Sequence, residues 1–166
     1  MRILAGILLA LLSFLGSTVP PAGTGTAPSA RLDGWQWPVE PALVIEAYRS
    51  PAHRYGPGHR GIDIAAPQGS RIAAPAAGVV AFAGDVAGRP LVTIDHGAGL
   101  VTTLEPVAPT VPVGALVRAG DSVGTAAAGG HVAPGAVHFG VRENGDYINP
   151  MVLLGVVPRA VLLPCC

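Results

Sequence analysis

The sequence predicts an all-β domain, mostly an antiparallel sheet, and two observations predict it. Short β-branched or apolar runs alternate with Gly, Pro and Asp turns, the pattern of short strands joined by tight connections. No window of helical length escapes Gly or Pro, with Leu43 to Tyr48 the one exception, so helices are limited to one or two turns.

Taken in chain order, the expected strands are Arg71 to Ala74, Val79 to Ala83, Leu91 to Asp95, Leu100 to Leu104, Ser122 to Thr125 and Val137 to Arg142. A further strand is expected around Ile62 to Ile64, entered from the loop that carries His59. Two stretches, APAAGVVAFAG near Ala74 and VRAGDSVGTAAAG near Val117, each set a tight Gly turn between short strands. They resemble the barrel-sandwich hairpins of lipoyl and biotinyl carriers. A carrier presents a modifiable Lys at such a hairpin, and all ten basic residues here are Arg. The likeness therefore concerns architecture and not carrier function.

At 166 residues the chain has room for one domain and an N-terminal targeting segment. Residues 1–16 open with one Arg and an apolar run from Ile3 to Leu15, shorter than the roughly 20 residues of a membrane span. A signal peptide is expected there, or an N-terminal anchor if it stays uncleaved. Either places the rest of the chain outside the cytoplasmic membrane, exported to the envelope or beyond, with membrane contact only in the uncleaved case. Residues 17–30 read as a flexible linker, being mostly Pro, Gly, Thr, Ser and Ala. The domain is expected over 31–157, followed by a tail at 158–166 in which Cys165 and Cys166 stand side by side, where a mutual bridge closes no useful loop. Ten basic and ten acidic residues balance to zero with no basic block, which argues against nucleic acid as a partner.

The chemistry concentrates in two segments. In Gly58-His59-Arg60-Gly61-Ile62-Asp63-Ile64 a helix is opposed by the flanking Pro57 and the glycines. A strand instead sends Ile62 and Ile64 to the core and Asp63 to the opposite face, because side chains alternate with period two. In Ala136-Val137-His138-Phe139-Gly140-Val141 the same alternation puts Val137, Phe139 and Val141 inside and His138 opposite. Two imidazoles and a carboxylate match a three-ligand catalytic zinc pattern, in which water takes the fourth position. They equally suit the solvated faces of amphipathic strands, and a lone His-x-x-x-Asp is weak by itself.

From about Trp35 to Leu154 the chain resembles the lysostaphin-type (LytM-like) metallopeptidases, which cut peptide bonds of peptidoglycan. The likeness rests on GHRGIDIAAP, AAGVVAFAG, VTIDHGAGL, VRAGDSVG and VHFGVRENGDYINP, in the family's order. It implies zinc (Zn2+) held by His59, Asp63 and His138 in an open groove across the sheet, and a peptidoglycan peptide as substrate. Two positions depart from the family pattern. Its last motif is His-x-His, and the first His is Ala136 here; its second auxiliary His, after a Tyr, aligns to Pro106, with Leu104 at the Tyr. The run TTLEPV looks like a variant branch found in actinobacteria.

Losing a general base costs about 10²–10⁴ in rate, so the variant pattern leaves two functions open. One is a zinc endopeptidase with a substitute base, for which the candidate is His131 in the Gly-rich loop Ala128 to Val132, with Glu105 the weaker candidate. The other is a catalytically impaired relative that binds peptidoglycan or regulates a hydrolase. His96 in Asp95-His96-Gly97 reads as a structural hairpin residue and His53 as a loop residue.

Overall fold

The computed structural model describes residues 34–156. The expected signal or anchor at 1–16, the linker at 17–30, the tail at 158–166 and both cysteines lie outside the described residues.

Eleven strands and one 3₁₀ turn follow one another: β1 (Val44–Glu46), β2 (Gly61–Ala65), β3 (Arg71–Ala73), β4 (Gly78–Val86), β5 (Arg89–Asp95), β6 (Leu100–Glu105), β7 (Val107–Pro109), β8 (Leu116–Val117), β9 (Ser122–Ala126), β10 (Ala136–Glu143), β11 (Asp146–Ile148) and the turn Pro150–Val152. The domain is all-β. The larger sheet runs β1-β2-β10-β6-β5-β4-β8 with β11 also on β10, and a three-stranded sheet runs β3-β9-β7. Every pairing is antiparallel, as expected where strands are joined by short turns.

One core lies between the two sheets. The large sheet contributes Ile62, Ile64, Val92, Ile94, Leu104, Val137, Phe139 and Val141, and the small one Ile72, Val107 and Val123, in a single apolar cluster. The period-two reading of β2 and β10 holds: Ile62, Ile64, Val137 and Phe139 are wholly buried on the core side. Asp63 and His138 are paired across the two strands on the opposite face, since directly opposed residues point the same way.

Three features differ from the sequence reading. Leu43 to Tyr48, the stretch free of helix breakers, contains strand β1 along the edge of β2. Six residues are too few to nucleate a helix on their own, and the adjacent sheet edge supplies the backbone partners that a lone turn of helix lacks. Strands β7 and β8 are three and two residues long, below what a hydrophobic pattern resolves. Strand β11 was announced by a signal not drawn on: Asn144-Gly145 holds both residues at positive φ, 53° and 91°, the signature of a tight hairpin turn, and it folds β11 back on β10 with Arg142 opposite Tyr147.

Candidate functional site

His59 comes to the site through a backbone bridge rather than a regular strand. Its N–H donates to the Arg49 carbonyl at 2.9 Å, and the Arg49 N–H donates back to its carbonyl at 3.0 Å. The imidazole Nδ1–H donates to the Ala47 carbonyl at 2.9 Å, which leaves Nε2 as a lone pair in the neutral ring. That nitrogen stands 3.0 Å from Asp63 Oδ1 and 3.1 Å from His138 Nδ1, and His138 Nδ1 is 2.8 Å from Asp63 Oδ1.

Three potential ligand atoms from the His59 loop, β2 and β10 thus form a closed triangle. All three residues are buried, at 7%, 4% and 7% exposure, so they are not polar residues on a solvated face. One shared proton can satisfy one edge of such a triangle but not three. A cation would satisfy all of them, and His59, Asp63 and His138 each offer one ligand atom close enough together to hold a metal ion. Zinc–ligand bonds near 2.0–2.1 Å put tetrahedral ligand atoms roughly 3.3 Å apart, close to the spacings here, and the two-imidazole, one-carboxylate set is one that zinc accepts. The residues fit the ion.

Electrostatics within the triangle favour the charged carboxylate. Burial pushes the Asp63 carboxyl up, but its hydrogen bonds and electrostatic interactions with His138 and His59 outweigh it and hold the group below its ordinary 3.8.

Beside the triangle lies a second group. Glu105 on β6 is directly opposite His138 on β10 and is 7% exposed. Its carboxylate sits between Arg89, with Nη1 3.7 Å away, and His131, with Nδ1 3.5 Å away. The His131 ring, half exposed, meets the His138 ring edge-on at 5.1 Å between centroids. The structure therefore brings His131 and Glu105 together at the metal-type triangle. Leu104, by contrast, is wholly buried in the core, and Pro106 and Ala136 help line a hollow under the Gly-rich loop where the family pattern has histidines.

The remaining histidines stand apart. His96 Nδ1–H donates to the Ala77 carbonyl at 2.8 Å, its Nε2 lies 2.8 Å from the buried Thr102 hydroxyl, and its ring stacks at a tilt on Trp35. Burial lowers its pKa from the ordinary 6.5, against the opposing pull of the Ala77 hydrogen bond and the Asp95 charge, so the neutral ring is a fixed part of the hairpin packing. His53 lines a separate cleft.

Comparison with known proteins agrees with this geometry. Residues 57–150 match the model of peptidase family M23. An uncharacterised protein of Mycobacterium tuberculosis is 36% identical over 129 residues, covering 74% of this chain and 52% of that protein. The murein hydrolase activator NlpD of Salmonella typhimurium is 30% identical over 145 residues, covering 81% of this chain and 35% of NlpD. This chain thus corresponds to about half, or less, of the length of these curated relatives. Among solved structures, a mutant catalytic domain of the prophage-encoded M23 protein EnpA from Enterococcus faecalis superposes with a TM-score of 0.57 at 30% identity, over 67% of this chain and 90% of that one. The mycobacterial match accords with the actinobacterial character of the TTLEPV run. No helix among the described residues is long and apolar enough to cross a membrane. A match over more than half of the chain, carrying the His-Asp-His triangle on the fold of a solved M23 catalytic domain, makes this protein a member of peptidase family M23.

Proposed function

We infer that this protein is an exported zinc endopeptidase that hydrolyses peptide bonds of peptidoglycan, with His59, Asp63 and His138 as the metal ligands. The observation that carries the reading is the buried triangle, in which the Ala47 carbonyl fixes the tautomer of His59 so that a lone pair meets Asp63 and His138. A backbone carbonyl in that role orients a metal-bound imidazole and strengthens it as a donor. Zinc bound there supplies Lewis-acid polarisation of a scissile carbonyl and acidifies water.

The proton is handled by His131. Its ring lies against His138, and its Nδ1 faces Glu105 at 3.5 Å, a spacing that a small ring rotation turns into a hydrogen bond. Glu105 holds the Nδ1–H tautomer, which leaves His131 Nε2 to take a proton from water and return it to the departing amine. Arg89 Nη1, 3.7 Å from the other carboxylate oxygen, helps aim Glu105. The pair occupies the neighbourhood that the family pattern fills with the histidines replaced here by Ala136 and Pro106.

Those same replacements, together with the likeness to a murein hydrolase activator, favour a second reading. In it the groove binds peptidoglycan or a hydrolase and cuts nothing. The deciding experiment incubates the zinc-loaded protein with purified peptidoglycan and follows released peptides by mass spectrometry, with chelator and His59→Ala as controls. Metal-dependent release establishes the peptidase. A folded, zinc-bound protein that releases nothing from several wall types overturns it in favour of the binding role.

A further inference from the structure

A second concave site lies on the same face of the large sheet as the His-Asp-His triangle, further along β10. From His138 the even-numbered positions of β10 run through Gly140 to Arg142, about 13 Å at the rise of a strand. The strand beside it changes on the way: β2 pairs with Ala136 to Gly140 and β11 with Val141 to Glu143. Arg142 and its partner Tyr147 therefore share the face of His138, and Gly140 puts no side chain between them.

At that far end is a cleft of about 390 Å³ whose lining includes Tyr48, Arg54, Arg60, Arg142, Asp146 and Tyr147, within the roughly 300–1,000 Å³ typical of small-ligand sites. The Arg60 and Arg142 guanidinium carbons each lie 5.9 Å from the centre of the Tyr147 ring. The Tyr147 backbone is tied by the Tyr48 hydroxyl donating to the Tyr147 carbonyl at 3.1 Å, and Arg60 is held by two bonds from Nη2, to the Arg54 and Gly56 carbonyls at 2.9 and 3.0 Å. Two like charges thus lie at one aromatic ring, one of them, Arg60, anchored by hydrogen bonds. Among the described residues, the ion pairs involve neither Arg60 nor Arg142. In a chain of zero net charge, three arginines line this cleft against the single exposed carboxylate of Asp146.

We propose that the Arg60–Tyr147–Arg142 cleft is a subsite for a free carboxylate of the peptide whose backbone lies along β10 across the triangle. Planar guanidinium groups grip a carboxylate through paired N–H donors. The separation from His138 sets that carboxylate about four extended residues from the bond facing the triangle. Wall peptides that end in a free carboxyl are then selected over those in which it is blocked or cross-linked. The proposal rests on the peptidase reading for the direction of the peptide and for its source in the wall.

The test is a binding measurement. The zinc-loaded full chain is titrated calorimetrically with a wall-stem tetrapeptide ending in D-alanine, as the C-terminal acid and as the amide, for the native protein and for Arg142→Gln. The acid is expected to bind about 10- to 100-fold more tightly than the amide, as for a charge-assisted hydrogen-bonded pair, and Arg142→Gln to abolish the difference. Equal binding of acid and amide by the native protein overturns the proposal, and this arm needs no variant to fold. Displacement of the acid by inorganic phosphate at equal concentration also overturns it, by making the cleft a general anion site. The two readings fail separately: a carboxylate preference without wall cleavage removes the peptidase and leaves the subsite, whereas cleavage without the preference removes the subsite alone.

Discussion

The ring of His138 packs over Gly61 of the neighbouring strand: a Cβ built at position 61 stands 2.6 Å from His138 Nε2 and closer still to the Phe139 carbonyl oxygen. The glycine is there because the imidazole needs the space to bring Nδ1 to Asp63. Gly61→Ala is expected to cost about 1–3 kcal/mol of stability through overpacking and to weaken zinc binding at least 10-fold. Thermal unfolding and a zinc titration measure the two effects; an alanine variant with unchanged zinc affinity contradicts the role assigned to the glycine.

Metal removal has a direction fixed by mass action. If the triangle binds zinc only when folded, zinc at 100 times its dissociation constant adds about 2.7 kcal/mol of stability. Scanning calorimetry with zinc and with chelator is expected to show a higher Tm in the metal form, and Asp63→Asn or His138→Ala to erase the difference.

Glu105 and His131 act as one unit in the proposed proton transfer, so their losses do not add. His131→Ala is expected to lower peptide release by about 10²–10⁴, and Glu105→Gln by a smaller factor, with the double variant no worse than His131→Ala alone. Zinc affinity stays within a few-fold of native in each. Additive losses in single-turnover assays argue that the two residues work independently.

His96 gives stability a pH dependence. Because burial lowers its pKa in the folded protein below the ordinary 6.5, the unfolded chain takes up a proton more readily. The contribution is complete above about pH 6.5 and declines as the pH falls below it towards the folded value. Melting curves between pH 5 and 8 are expected to show this loss on the acid side. His96→Gln removes that component and costs about 1–3 kcal/mol at neutral pH through the Ala77 and Thr102 partners.

How much of this was written locally is clear from particular residues. Period-two alternation alone sent Ile62, Ile64, Val137 and Phe139 to one face and Asp63 and His138 to the other, because a strand has only two faces and one must be apolar. The order of five motifs carried the family, and Asn144-Gly145 carried a hairpin that the sequence reading passed over. What the chain could not state locally depends on partners distant in sequence. Val44 to Glu46, within the stretch free of helix breakers, became a strand because β2 offered an edge, and His59 acquired its tautomer from Ala47, twelve residues away. Glu105 became the residue facing His138 only through the β6–β10 register, which also brought it to His131. The cleft around Tyr147 likewise exists only because β11 takes over from β2 beside β10. Hydrophobic periodicity is a property of neighbours along the chain, whereas the meeting of polar side chains is a property of register, and register is decided by the whole sheet at once.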